Sequence, residues 1–339
     1  MKVSFLVTYY NQAQYVSKSL DSLLAIQKNF DWEILVGDDG SSDETVKNVN
    51  EYISRYPEKI RLYQMPREKG KLYNSIQRAS ANRLNLLEHS TGDCFCILDG
   101  DDWYCNKDFI KKAIDVYTKN LTVSVIAFNF QMVYKDTIVK ENILKLKDLT
   151  IIPAKVYLKK SYTHSGACVF FKAEEVRKNI DNLKRIGYFD DNDIVINNLN
   201  YGDLFYIADT IYSYRQTGES IWTGINLLEQ HLINLIAMDA DILISPDLKN
   251  SIINRAASAI IYCYIFRKTI TKYFDENKMN KYKEMSLAFE NGISKKIIFF
   301  DTISKIETRE LKNLILRLSF SNPKLLLSAL KFKCFKKEN

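Results

Sequence analysis

Asp99, Gly100, Asp101 and Asp102 follow directly on the apolar run 95–98. Three carboxylates within four residues repel one another, and a divalent cation removes that cost while gripping a diphosphate. An acidic turn in solvent is the plainer reading of such a run. Its place at the end of an apolar strand favours the cation. Three histidines, His89, His164 and His231, are too few for a His-rich centre. The expected ion is therefore Mn2+ or Mg2+, held largely by carboxylates. Two further polar clusters end apolar runs. Thr8, Tyr10 and Asn11 close the run 3–8, where an aromatic ring can stack on a base and a hydroxyl can bond its edge. The same residues also make an ordinary helix start. Asp38 and Asp39 close the run 32–36, where a carboxylate can accept from the imide N–H of uracil. The surrounding GDDGSSD equally supplies a helix cap.

These clusters need elements to bring them together. The runs 3–8, 32–36, 60–63 and 95–98 read as buried strands. Between them lie helical patterns. One carries Val16, Leu20, Leu23 and Leu24 behind Asn11 as a cap. A second carries Val46, Val49, Tyr52 and Ile53 behind Asp43 or a nearby serine. A third spans 72–88 and is closed by Thr91 and Gly92. Such alternation predicts an α/β fold with a parallel sheet and helices on both faces. Ligands of such sheets bind beyond the carboxyl ends of the strands, where all three polar clusters fall. Residues 122–221 are mixed, with strands expected at 123–130, 167–171 and 204–207 and a helix at 190–200. From Leu227 the pattern is helical, with amphipathic stretches at 252–274 and 306–320.

Composition narrows the class. The 339 residues are 46% hydrophobic and 26% charged, as in an ordinary soluble protein. No run approaches the ~20 apolar residues of a membrane span. The N-terminus reads as a first strand rather than a signal peptide, so the expected setting is cytoplasmic. Six scattered cysteines without a CxxC pair point to reduced thiols. The net charge of +7 suits nucleic acid, anionic lipid or a phosphorylated substrate. No zinc finger, RNA-binding signature or basic aromatic helix is present, and a nucleic-acid partner is not expected. Lys331, Lys333, Lys336 and Lys337 interleave with Phe332 and Phe335 in the C-terminal tail. That pattern allows peripheral contact with an anionic membrane at its inner face, or a helix with a frayed basic end. Walker A and GxGxxG patterns are absent.

The order VSFLVTYYN, EILVGDDGSSDET and STGDCFCILDGDDW resembles the family 2 inverting glycosyltransferases of the GT-A fold, of the bacterial surface-polysaccharide type. The resemblance covers roughly residues 1–222, and a helical C-terminal region, 223–339, follows. It implies that Thr8, Tyr10 and Asp39 bind the nucleobase. Asp101 and Asp102 would bind the metal and the ribose or diphosphate, with Asp99 in support. Arg83 would be a basic residue near the donor, with Lys69 and Lys71 as alternatives. The family's general base corresponds to Asp191, with Asp190 and Asp193 as neighbours and helix capping as the other role for such acids. Thr163, His164 and Ser165 resemble an acceptor-side turn. In YRQTGESIWTG, Arg215 corresponds to a diphosphate contact and Trp222 to a sugar-stacking or lid residue. Thr217 stands where family members often have histidine.

The implied activity is transfer of a sugar, with inversion, from a uridine-linked nucleotide sugar to a hydroxyl of a glycan or lipid-linked acceptor. Two other classes remain open. A nucleotidyltransferase acting on a sugar phosphate would carry a Gly-rich basic loop at strand one, where TYYNQAQ stands. A non-catalytic nucleotide-sugar-binding relative would have lost the acids that are present here.

Overall fold

The computed structural model describes all residues except 69, 72, 142, 161–162, 217–224, 269, 271–273 and 336–339, and no side chain at 160 or 331–335. The chain divides into two compact units, Met1–Gly218 and Glu219–Asn339.

In the first unit, four strands form the parallel half of the sheet: β1 (Lys2–Tyr9), β2 (Asp31–Asp38), β3 (Ile60–Gln64) and β4 (Cys94–Asp99). Val3, Phe5, Leu6 and Val7 of β1 are all buried, as are Ile34, Leu35 and Val36 of β2. Helices cover both faces of such a sheet, so its strands read as unbroken apolar runs rather than alternating ones. The intervening helices are α1 (Val16–Leu24), α2 (Thr45–Arg55) and α3 (Ser75–His89). They turn Val16, Leu20 and Leu23, Val49 and Tyr52, and Leu84 and Leu87 inward.

Past β4 the sheet becomes mixed. β5 (Trp103–Tyr104) and α4 (Phe109–Lys119) are followed by β6 (Val123–Tyr134), β7 (Thr137–Lys140), β8 (Thr150–Ile152) and α5 (Ala154–Lys160). Then come β9 (Cys168–Phe170), α6 (Ala173–Lys178), α7 (Ile180–Ile186), α8 (Asp191–Asn198) and β10 (Asp203–Arg215). The strand order is β3-β2-β1-β4-β9-β6-β10-β5, with β7 on β6 and β8 on β10. β9 runs antiparallel to both β4 and β6, while β10 is parallel to β6. The expected α/β architecture is present, and its second half is mixed because β9 enters the sheet in reverse.

Some local expectations resolve differently. Asn11 does not cap α1. It takes a left-handed conformation, φ 50°, and its Oδ1 accepts from the Ser42 backbone N–H at 2.8 Å. The chain enters α1 through a 3-10 turn, Ala13–Tyr15, whose first N–H is taken by Asp43 at 3.0 Å. Helix α3 starts at Ser75, capped by the Asn74 side chain.

The second unit is helical among its described residues: α9 (Leu227–Ile244), α10 (Lys249–Arg255), α11 (Ala257–Phe266), α12 (Glu276–Leu287), α13 (Ile293–Ile298), α14 (Lys305–Ser321) and α15 (Pro323–Phe335). The stretch read as one amphipathic run over 252–274 is broken at Ala256 between α10 and α11. Buried Asp239 of α9 accepts from the Ile293 and Ser294 backbone N–H groups at 2.9 and 2.8 Å, tying α9 to the start of α13. No described helix is long and apolar enough to cross a membrane.

Candidate active site

The carboxyl ends of β1, β2 and β4 are adjacent, since Thr8 stands opposite Gly37 on one side and Asp99 on the other. The Gly100 N–H donates to Thr8 O at 2.9 Å, and the Thr8 hydroxyl donates to Asp99 at 3.3 Å. Glycine is required at position 100 because a Cβ there would lie 2.1 Å from the Tyr9 ring. The acidic run is thus seated directly on the first strand.

Each acid of the run has a different environment. Asp102 is buried and accepts from the Tyr212 hydroxyl at 2.5 Å and the Arg215 backbone N–H at 2.7 Å. Burial, with Asp101 and Asp99 nearby, raises its pKa well above the ordinary carboxylate range. Asp101 is pushed up to about 6 by burial and by the Asp99 charge. Burial also acts on Asp99, but the Arg83 guanidinium outweighs it and holds that carboxyl below its usual range.

Arg83 projects from α3 with its side chain 6% exposed. It donates to Asp99 at 2.8 Å and to Asp190 at 2.7 Å. One guanidinium therefore joins the acidic run after β4 to the start of α8.

At that helix start, Asp190 and Asp193 form a capping box, and Asp193 accepts from the Asp190 N–H at 3.0 Å. Asp191, between them, faces another way. Its Oδ1 accepts a short hydrogen bond from the Ser165 hydroxyl, and its Oδ2 lies 4.0 Å from His164 Nε2. His164 Nδ1 accepts from the Gly166 N–H at 3.2 Å, which assigns the neutral ring's proton to Nε2, the atom facing Asp191. The imidazole is enclosed by the rings of Phe130, Tyr212 and Tyr214, with centroids 5.6, 4.9 and 4.8 Å away. Gly166 admits this packing, because a Cβ there would fall 2.2 Å from the Tyr212 ring.

At the edge next to β2, Tyr10 is exposed and the Arg67 guanidinium lies 3.9 Å over its ring. Asp39 is buried and paired with both Arg67 and Arg78. Asp38 accepts from the Gly40 and Ser41 N–H groups at 3.1 and 3.0 Å, shaping the turn that presents Asp39.

The structure thus gathers Asp99, Asp101, Asp102, Arg83, Asp191 and His164 into one connected region, with Thr8, Tyr10 and Asp39 along the same edge. Arg215 lies against the acidic run. Its Nε donates to Asp101 O at 2.8 Å, and its guanidinium stacks over Tyr15 and Trp103 at 4.7 and 4.8 Å. Lys71 pairs with Glu68 at 2.7 Å and is largely exposed. Thr217, Trp222 and Lys69 lie outside the described residues. Sequence reasoning missed Arg67, Arg78, Ser165 as a partner of Asp191, and Tyr212. For the last there was a signal, because Tyr212 and Tyr214 share one face of a strand.

Among the described residues, no three His, Cys, Asp or Glu side chains are grouped so as to hold a metal ion. The acids of the run offer carboxylate oxygens, the donor type that Mg2+ and Mn2+ take. Asp101 and Asp102 are adjacent carboxylates with raised pKa values, and Mg2+ or Mn2+ is commonly held by one or two carboxylates plus substrate phosphates.

The sequence profile of Glycosyl transferase family 2 matches residues 4–179, about half of the chain. The chain belongs to that family, and its fold is GT-A. An uncharacterized protein of Mycobacterium tuberculosis is 20% identical over 213 residues, 63% of this chain and 58% of that protein. The chain thus spans little more than half the length of this relative. The teichoic acid poly(glycerol phosphate) polymerase of Staphylococcus epidermidis is 32% identical over 101 residues, 30% of this chain and 13% of the polymerase. The crystal structure of S. aureus TarS 1-349 in complex with UDP-GlcNAc is similar in fold. Its TM-score is 0.60 at 16% identity, covering 98% of this chain and 92% of that one.

Proposed function

We propose that this glycosyltransferase moves a sugar from a uridine diphosphate-linked donor to a hydroxyl of a glycan or lipid-linked acceptor, with inversion, in cytoplasmic synthesis of a surface polysaccharide. The observation that carries the reading is the Arg83 bridge. It holds a donor-side acid, Asp99, and the turn bearing an acceptor-side acid, Asp191, in one network. Mn2+ or Mg2+, when bound by Asp101 and Asp102, supplies charge neutralisation for the departing nucleoside diphosphate.

The chain's own groups supply the rest. Asp191 takes the proton of the attacking hydroxyl, oriented by Ser165 and the His164 Nε2–H. A single base acting on one face, with the leaving group on the other, gives inversion, unlike the paired carboxylates of hydrolases. Thr8 and Tyr10 line the nucleobase edge, and the Tyr10–Arg67 stack offers a platform for the base. A carboxylate accepts about four hydrogen bonds, so Asp39, though tied to Arg67 and Arg78, retains capacity for one imide N–H. Arg215 steadies the backbone of the acidic run beneath the diphosphate, and Trp222 is assigned to the sugar or lid. The basic C-terminal tail is proposed to touch anionic lipid, the surface in which a lipid-linked acceptor resides.

Calorimetry with UDP, GDP and CDP in the presence of Mn2+ tests the donor class. UDP is expected to bind most tightly. A clear preference for GDP would overturn the assignment of Asp39.

A further inference from the structure

The net charge of +7 is not spread over the chain. Residues 295–339 hold eleven Lys and Arg against four Asp and Glu, and the preceding 294 residues balance at thirty-seven of each. The whole excess therefore sits from Lys295, within α13, to the C-terminus.

Helix α14 lies in that segment and is apolar on two opposite sides. Leu311, Ile315 and Leu318 are buried, as expected of a surface helix. The other side should be polar. It presents Ile306 at 73% exposure, Leu316 at 56% and Phe320 at 84%. At 100° per residue these three lie on one flank with Arg309 and Arg317; Lys312 borders it on one side and Glu310, paired with Lys296 at 3.5 Å, on the other. Leu327 and Leu330 of α15, one turn apart, are exposed as well. Ser304 and Glu307 close a capping box at the start of α14, so this face is carried on a well-terminated helix.

We propose that the outward face of α14 docks onto an anionic lipid bilayer, lying in the interface with Phe320, Leu316 and Ile306 among the acyl chains. Apolar side chains interleaved with cations are what that surface selects: headgroup phosphates attract the charges and the hydrocarbon boundary takes up the rings and methyls. A second copy of the chain would bring two cationic faces together, which like-charge repulsion opposes. Nucleic acid would satisfy the cations but leave the phenylalanine and leucine in water. The proposal does not depend on the sugar-transfer reading, and its test uses no donor or acceptor.

The full chain is sedimented with vesicles of phosphatidylcholine, and with vesicles of equal parts phosphatidylcholine and phosphatidylglycerol. Wild type is expected to partition onto the anionic vesicles, less so as salt rises. A variant combining Ile306→Gln, Leu316→Gln and Phe320→Gln keeps good helix formers at exposed positions. It is expected to melt as wild type does and to lose roughly tenfold or more in partition. Combining Arg309→Gln, Lys312→Gln and Arg317→Gln should cost roughly fivefold per cation. Partition of the apolar variant equal to wild type overturns the proposal, as does failure of wild type to bind anionic vesicles. So does a wild-type dimer in vesicle-free solution that the apolar variant dissolves.

Discussion

Replacing Arg83 by leucine removes a buried cation from between two carboxylates. The Arg83 side chain is 6% exposed, Asp99 27% and Asp190 45%. Breaking a buried ion pair by deleting one partner typically costs about 3–5 kcal/mol, because the other charge is left without compensation. Asp190 sits near solvent and can recruit water, so the Asp99 arm dominates and the lower end applies, about 3 kcal/mol. For a unit of this size, each kcal/mol lowers Tm by about 2–4 °C, and the expected drop is roughly 6–12 °C. Far-UV circular dichroism melts measure it. Adding Asp99→Asn to Arg83→Leu should recover part of the loss, since the uncompensated charge is then gone. The cycle should show a coupling of about 1 kcal/mol or more. Arg83→Lys should fall between, because an ammonium cannot fork to two carboxylates as a guanidinium does. Melting of Arg83→Leu within 2 °C or so of wild type, with no coupling to Asp99, would refute the bridge.

Other expectations follow from the same geometry. Asp191→Asn should bind UDP and melt near wild type while turnover falls about 10²–10⁴-fold; if Asp191→Asn is active and Asp190→Asn is dead while melting as wild type does, the base is Asp190. Chelator should abolish transfer, and so should Asp101→Ala; full activity in chelator removes the metal from the mechanism. Glu33→Gln should cost about 2 kcal/mol near neutral pH. Burial acts to raise the Glu33 pKa, but the Thr91 N–H, the Ser4 hydroxyl and Lys2 outweigh it and hold the carboxyl below its usual value. A depressed folded pKa gives stability that is present above the unfolded value, about 4.3, and is lost as pH falls through the folded one. The gap between wild type and Glu33→Gln in urea titrations should therefore be full at neutral pH and close in acid. A gap independent of pH would show that packing, not charge, matters there.

What the sequence disclosed about this site is what is local in the chain. The acidic run, its strand and its glycine lie within a few residues, so their spacing reports their geometry. The parallel half of the sheet was legible for the same reason, since its strands are continuous apolar runs between amphipathic helices. The partners that set each acid's chemistry are distant. Tyr212 meets Asp102 across 110 residues, and Arg83 meets Asp190 across 107. Neither pairing leaves a periodic trace. The reversal of β9 was equally hidden, because its three residues are apolar whichever way the strand runs. Asn11 shows a different failure. Cap preference is a local rule, but here the asparagine side chain was claimed by Ser42, which the fold brings beside it.

The acids at the start of α8 show how such ambiguity resolves physically. Three carboxylates at a helix N-terminus suit the dipole, and capping alone accounts for acids at such a place. Capping, however, takes a defined pair. The N-cap and N3 positions belong to Asp190 and Asp193, which satisfy each other's backbone donors. Asp190 has a second partner in Arg83, which fixes the turn against the acidic run. Asp191 at N1 serves neither purpose. Its partners come from the turn before β9: Ser165, and His164, whose imidazole sits among aromatic rings. The helix end is thus held by Asp190 and Asp193, and Asp191 takes no part in that cap. That separation is why Asp191→Asn should report on chemistry and Asp190→Asn on structure, and why the two variants measured side by side are more informative than either alone.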